Sequence, residues 1–436
     1  MRERMPRLPA HQVTTRNLGA AYPFIAEAGL GQRGVVIGDD LLGGSFVFDP
    51  FELYAAGVVS NPNMVVFGQI GRGKSAFVKS FLWRQAVFGR RAWVVDPKGE
   101  YGDLADAWGV RPVALRPGGT IRLNPLDGGP EAGAGGREGV DATARRRTEL
   151  LASLASACLG RSLAPRERAA LAAALSDTVA LAGLENPTVP QVVEALLDPS
   201  AEAARSLRTE RRDLLEDGRD VALELRRLVH GDLCGMFDGP TTPGLDLSAP
   251  LVVLDLSALY TSAALGVLMA CATAWLQAAL ARTAGLDGGP APATSGGRFF
   301  LVVDEAWAIL SNLGVARWLQ SSWKLSRAFG VSNVAVLHRV SDLRSVGASD
   351  SEQVALAQGL LADSETRVVY AQSPGELEAA SELLSLSDTE SDLLPQLRRG
   401  IALWKVGQRS FLVQHRLSAL ERHIVDTDAA MTGAAP

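Results

Sequence analysis

Lysine is almost missing from this chain. Only Lys74, Lys79, Lys98, Lys324 and Lys405 stand among 43 basic side chains. A lysine inside a motif is therefore harder to ascribe to chance than an arginine. Cysteine is scarce too: Cys158, Cys234 and Cys271 are odd in number and far apart. They exclude a disulfide framework, argue against a cysteine-held metal, and fit buried thiols in a reducing compartment. An excess of positive charge is also lacking. The net charge is -5 and the isoelectric point near 5.7, so contact with a polyanion must be made by a local patch. The opening "MRERMPRLPAHQ" has no apolar stretch of the secretory kind. One uncharged run, Leu256 to Ala281, is long enough to cross a bilayer. Its Leu265, Leu268, Met269, Ala272, Leu276 and Leu280 recur at helical spacing, with Ser, Thr and Gln between them. The run also lies between two strand candidates of one sheet, so it reads as a buried helix.

With 436 residues, 47% of them hydrophobic, the chain can bury a large core and two or three units. Residues 1–60 are expected to form a short β-rich lead-in, with a hairpin in "RGVVIGDDLLGGSFVFDP". Across 61–127 the pattern is strand ("NMVVFG"), glycine turn, helix closed by Gly89, and strand ("RRAWVVDPKGEYG"). Strands apolar on both faces that alternate with helices indicate a parallel sheet. Residues 128–235 hold no strand candidate. Their apolar residues recur every three or four positions between Pro and Gly borders, as in an all-helical insertion of four to six helices. The α/β pattern resumes over 236–420. It has strands ending at Asp255 and Asp304, helices at about 314–328 and near 340–362, and strands "GVSNVAVLH" and "ETRVVYAQ". A hairpin turning at Gly407-Gln408 follows. Residues 284–297 read as a linker and 421–436 as a flexible tail. The expected fold class is α/β with a mostly parallel sheet, an all-helical insertion and a β-rich lead-in.

The chemistry is concentrated in two strand exits. Gly68 to Ser75, "GQIGRGKS", matches G-x-x-x-x-G-K-S with a strand before it and a helix after. In a P-loop of this kind, backbone N–H groups from Gly68, Gln69, Ile70, Gly71, Arg72 and Gly73 through Ala76 surround phosphate oxygens, and the helix N-terminus adds its dipole. Lys74 would neutralise the outer phosphates, and the Ser75 hydroxyl would ligate Mg²⁺. The second exit is "FFLVVDEAW", whose Asp304 stands where ligands of open α/β sheets bind. Asp304 would hold Mg²⁺, and Glu305 would orient and deprotonate water. Capping of the following helix is the plainer use of the same pair. A third exit, "WVVDPKGEYGDL", carries Asp96 and Glu100.

These segments, with "MFDGPTT", "VLDLS" and the late "RRGIALWKVG", resemble in order and spacing the motor domain of the HerA/FtsK superfamily. Within it they are most similar to the VirB/TraC-like ATPases of conjugative and type IV secretion systems, over about 45–415. The resemblance implies a RecA-like core that binds ATP between subunits of a hexameric ring, with a helical subdomain inserted after the second strand. It also implies partners in a membrane secretion channel, a cytoplasmic place peripheral to the inner face of the membrane, and DNA among the candidate substrates. Its phosphate-binding motif falls on Gly68, Gly71, Gly73, Lys74 and Ser75, and its metal and catalytic pair on Asp304 and Glu305. The glutamine usual at the end of the next strand is replaced by His338, which can still donate to a phosphate. An arginine acting in trans would be Arg327, Arg367, Arg398 or Arg399, with Arg327 in the matching place. Only about 60 residues precede the P-loop, so docking is expected to use another polypeptide, or the protein to work apart from the membrane channel. Two other readings stay open: a HerA-like DNA translocase, and a nucleotide-held scaffold with little turnover.

Overall fold

Short runs of large apolar residues, most of them ending at glycine or an acidic residue, become the strands. The computed structural model describes residues 29–127, 137–182, 186–231, 233–246, 249–262, 265–286, 298–310, 316, 319–320, 323, 330–338 and 359–425. Its strands are β1 (Val35–Asp40), β2 (Ser45–Phe48), β3 (Met64–Phe67), β4 (Arg91–Asp96), β5 (Val113–Ala114) and β6 (Leu251–Asp255). They continue with β7 (Phe299–Val303), β8 (Val331–Leu337), β9 (Thr366–Val369), β10 (Ile401–Val406) and β11 (Arg409–His415). All eleven join one sheet in the order β2-β1-β11-β10-β9-β3-β8-β7-β4-β6-β5.

From β9 to β5 every pairing is parallel; from β9 to β2 every pairing is antiparallel. At the carboxyl edge β3 and β8 end level, Phe67 pairing with Leu337, while β7 ends two residues lower, Val303 pairing with Ala335 on one side and with Val95 of β4 on the other. The exits after β3, β8, β7 and β4 therefore open side by side, as a parallel sheet requires of its ligand edge. The expected hairpins both form, β1 with β2 and β10 with β11, and the two pair through β1 and β11.

Both faces are covered, which is why these strands are apolar throughout rather than alternating. Val66, Val94, Val302 and Val334 face a core shared with Phe77, Phe81 and Leu82 of helix Lys74–Gln85. Val65, Trp93, Val95, Leu301 and Val303 face the other core. That second core takes in helix Leu265–Leu286, the uncharged run, with Leu268, Met269, Trp275 and Leu276 fully buried. Among the described residues no helix is long and apolar enough to cross a membrane. Between β5 and β6 the described residues 137–182 and 186–230 form helices Arg137–Leu159, Pro165–Ala182, Val189–Leu197, Ala201–Ser206 and Arg211–His230. Their leucines join the same core.

Two differences from the sequence reading have local causes. Residues 421–425, expected in a flexible tail, complete helix Ala419–Val425. Its Ile424 and Val425 are buried, and Glu421 accepts from Arg84 Nε at 2.5 Å. The helices expected at about 314–328 and near 340–362 fall mostly outside the described residues.

The lead-in is welded to the P-loop helix by aromatic rings. Trp404 of β10 has its ring centroid 5.0 Å from Phe46, 5.1 Å from Phe48 and 5.1 Å from Phe77. Edge and tilted contacts of this kind add to simple burial. Trp404→Ala is expected to lower unfolding stability by about 3–5 kcal/mol in urea titrations followed by circular dichroism. A loss below about 1 kcal/mol would show that the lead-in is not part of this core.

Candidate nucleotide site

The P-loop is shaped by glycine where nothing larger fits. Gly68 leaves β3 with φ 154°, and a Cβ there would lie 2.4 Å from the Tyr370 Cβ. Gly71 and Gly73 also have positive φ, 76° and 109°. The loop is braced from the β9–β10 side of the sheet. Gln69 N–H donates to Ala371 O at 3.2 Å, and Gly400 N–H donates to Arg72 O at 3.0 Å. Gly73 is the residue before helix Lys74–Gln85, so the loop ends on a helix N-terminus without a side-chain cap.

Four strand exits converge on one imidazole. Lys74 Nζ donates to Gly68 O at 2.5 Å and Gln69 O at 3.1 Å, and lies 3.0 Å from His338 Nδ1. His338 Nε2 lies 2.5 Å from Glu305 Oε1. Lys98, on the exit of β4, forms an ion pair with the same Glu305 oxygen and lies 3.2 Å from His338 Nε2. Trp307 Nε1 donates to Glu305 Oε2 at 2.5 Å. An ammonium has no lone pair, so His338 Nδ1 accepts from Lys74, and the ring proton sits on Nε2 to be donated to Glu305. One histidine thus ties the P-loop lysine to the acidic pair.

The acidic pair is held in two different states. Asp304 is buried, and that burial, with Glu305, Asp96 and Glu100 nearby, pushes its carboxyl up to about 7. Burial alone would also raise Glu305, but hydrogen bonds from His338 and Lys98 outweigh it and hold Glu305 down at about 2. Lys74 is lowered to about 8 by burial, against the pull of Asp304 and Glu305. Glu305 has φ 51°, a left-handed backbone in a residue with a Cβ, which costs about 1–3 kcal/mol. Helix capping does not account for such strain.

The residues present suit a hard divalent cation. The Asp304 carboxyl, crowded by three other carboxyl groups, and Ser75 at the start of the helix offer oxygen donors, and the crowding of acids favours a cation. Among the described residues no cluster of three or more His, Cys, Asp or Glu forms a complete metal cage. Mg²⁺ does not need one, since it is held through one or two carboxylates plus phosphates and water.

The cleft over the loop has a volume of about 510 Å³ and is lined by Ile70, Lys74, Ser75, Lys98, His338 and Arg399 among others. Gly68, Gln69, Ile70, Gly71, Arg72, Gly73, Lys74, Ser75 and Ala76 form one continuous loop and first helical turn. His338 lines the cleft, whereas Asp304 and Glu305 are buried and do not, Glu305 being joined to it through His338 and Lys98. Arg327 lies outside the described residues. Arg367 is turned inward, donating to Leu361 O at 3.2 Å and Leu384 O at 3.3 Å. Arg398 and Arg399 are exposed, and only Arg399 lines the cleft. Asp96 spends its carboxylate on backbone, accepting from Lys98, Gly99 and Tyr101 N–H. Lys98 is the residue that sequence reasoning left unassigned. The signal was available: three of the five lysines fall between positions 74 and 98.

No protein-family model matches the chain, and no curated protein matches it. Solved structures do. The structure of VirB4 of Thermoanaerobacter pseudethanolicus is similar over 91% of this chain and 100% of that one, with TM-score 0.69 and 23% identity. The plasmid coupling protein TrwB in complex with a non-hydrolysable ATP analogue is similar over 82% of this chain and 85% of that one, with TM-score 0.54 and 17% identity. TrwB in complex with ADP and Mg²⁺ is similar over 82% and 86%, with TM-score 0.52 and 16% identity. The chain has the RecA-like P-loop NTPase fold of these proteins, a mixed α/β fold on a mostly parallel sheet.

The raised Asp304 carboxyl has a consequence for stability. Between its ordinary value of 3.8 and about 7 the folded protein binds more protons than the unfolded chain, so stability falls as pH rises through that window. Asp304→Asn keeps an oxygen for the Glu305 N–H but removes the charge. It is expected to stabilise the protein by about 2 kcal/mol at pH 8, with the gain shrinking towards pH 4, in urea unfolding at both pH values. An equal effect at the two pH values would place the buried charge elsewhere.

Proposed function

We propose that the chain is an ATP-hydrolysing motor subunit of a conjugative or type IV secretion-like system. The observation that carries this reading is the His338 bridge, which links Lys74 at 3.0 Å to Glu305 at 2.5 Å across adjacent parallel strands. A helix cap or an exposed glycine turn has no use for such a bridge. Similarity of fold to VirB4 and to the TrwB complexes with nucleotide supports the same reading.

In this reading the amides of Gly68 to Ala76 cradle the phosphates, and Lys74 exchanges its carbonyl and His338 partners for phosphate oxygens. Ser75 and Asp304 would hold Mg²⁺, which neutralises charge on the phosphate oxygens and fixes their orientation. The buried Asp304 gains its full charge when a dication shares the site. Glu305 orients the attacking water and takes its proton. It cannot do so well while His338 Nε2–H, Lys98 and Trp307 fill its lone pairs, so catalysis requires that some of these bonds open. His338, freed from Lys74 by the incoming phosphate, turns its ring to the terminal phosphate in place of the usual glutamine. Arg399 on the cleft rim and Arg327 remain the candidates for a transition-state contact from a neighbouring subunit of a homo-oligomeric ring. The ring would lie in the cytoplasm against the inner face of the membrane. There it would dock to channel proteins and drive DNA or protein transfer.

Glu305→Gln is expected to keep ATP binding while turnover falls by roughly two to four orders of magnitude. Lys74→Ala is expected to lose both. Wild-type turnover no higher than that of Lys74→Ala would favour a nucleotide-held scaffold. Hydrolysis measured with and without duplex DNA at two salt concentrations separates the substrates. Strong, salt-sensitive stimulation would move the reading to a DNA translocase.

A further inference from the structure

Lys98 stands outside every role assigned above, on a turn that is built rather than incidental. The Asp96 carboxylate accepts from the N–H groups of Lys98 at 3.2 Å, Gly99 at 2.8 Å and Tyr101 at 2.9 Å. Tyr101 is fully buried behind the turn. Gly99 has φ 72°, and a Cβ there would come within 3.1 Å of the Ser257 Cβ, so the turn closes only on glycine. A fixed backbone therefore projects a long, flexible side chain into the cleft beside Lys74 and His338. Its ammonium lies 5.6 Å from the centre of the Tyr260 ring, pairs with Glu305, and is 3.2 Å from His338 Nε2.

Lys74 stands on the other side of the same imidazole, 3.0 Å from Nδ1. Two ammonium groups flank one ring, and Glu305 is the carboxylate that Lys98 shares with it. An anion seated on Lys74 would lie within one side-chain swing of Lys98. A terminal phosphate carries more charge than a carboxylate and would compete successfully for that ammonium. A diphosphate, shorter by one phosphate, would leave the ion pair intact.

We propose that Lys98 reads the terminal phosphate, exchanging its ion pair with Glu305 for one with a nucleoside triphosphate and keeping that pair over a diphosphate. Glu305 is thereby released only when there is a bond to cleave. The inference rests on the nucleotide reading above. Lys98 touches the substrate directly, and acts on the attacking water only as a positioning residue, through Glu305.

The test is equilibrium binding of adenosine 5′-(β,γ-imido)triphosphate and of ADP, each with Mg²⁺, to the full chain and its variants by calorimetry. Lys98→Met is expected to weaken the imido analogue by about 10- to 100-fold and ADP by no more than about twofold, with Lys98→Arg restoring most of the loss. Equal weakening of both ligands, or of neither, would reduce Lys98 to a structural ion pair and overturn the proposal; Lys98→Gln gives the same reading if the methionine variant does not fold. Wild type that binds neither ligand would bring down the nucleotide reading itself. Release of Glu305 is followed separately through Trp307, whose indole donates to its other oxygen. Emission assigned to Trp307, as wild type less Trp307→Phe, is expected to shift with the imido analogue and not with ADP. The same shift with both would sink the exchange.

Discussion

Parallel pairing of β3, β8, β7 and β4 in fixed register is the constraint on which everything at the site depends. Each pair is held by main-chain hydrogen bonds, so the residues that follow the strands have no freedom to slide past one another. Gly68, His338, Asp304 and Asp96 therefore share one edge, although they come from four distant parts of the chain. A slip of one residue in β8 would turn His338 to the opposite face of the sheet. The lysine bridge would then be lost without any change in the P-loop.

That edge is expensive in isolation. It holds a carboxyl near neutrality at Asp304, a strained backbone at Glu305, and two ammonium groups around one histidine. Strain and crowded charge of this kind persist only where the surrounding fold over-determines them. The two apolar cores supply that determination, one through Phe77, Phe81 and Trp404, the other through Trp93, Trp275 and the helices between β5 and β6. The arrangement makes sense if a polyanion and a dication restore the balance. Stability is then given up where chemistry needs mobile charge.

The sheet also explains how distant segments serve one cleft. The antiparallel half brings the β10–β11 hairpin beside the P-loop, where Gly400 holds Arg72 and Arg399 reaches the rim. The lead-in hairpin closes the same sheet through β1 and β11. A late segment and an early one thus belong to the sheet that carries the cleft. This is the physical basis for expecting motion at the cleft to be felt at the outer strands.

Much of this was legible in the residues. Apolar runs on both faces announce a parallel sheet. Gly68 to Ser75 between a strand and a helix announces the phosphate loop, and Asp304-Glu305 after "FFLVV" announces the opposing exit. These are local signals, because strand periodicity, glycine conformation and helix starts depend on neighbours in sequence. Helix Ala419–Val425 was not legible, since its order comes from an ion pair between Arg84 and Glu421 across 337 positions. Arg367 reads as a free cation in sequence, and only the fold turns it onto the Leu361 and Leu384 carbonyls. The histidine in place of a glutamine could be seen, but not that it would accept from Lys74 and donate to Glu305. In sequence Asp96 reads only as the end of the second strand, and it is the fold that uses its carboxylate to hold the turn that presents Lys98. The sequence by itself determined which chemical groups would stand at the strand ends. Tertiary structure decided which of them would touch, because contact between charges is set by strand order and register, and neither is written in any local run of residues.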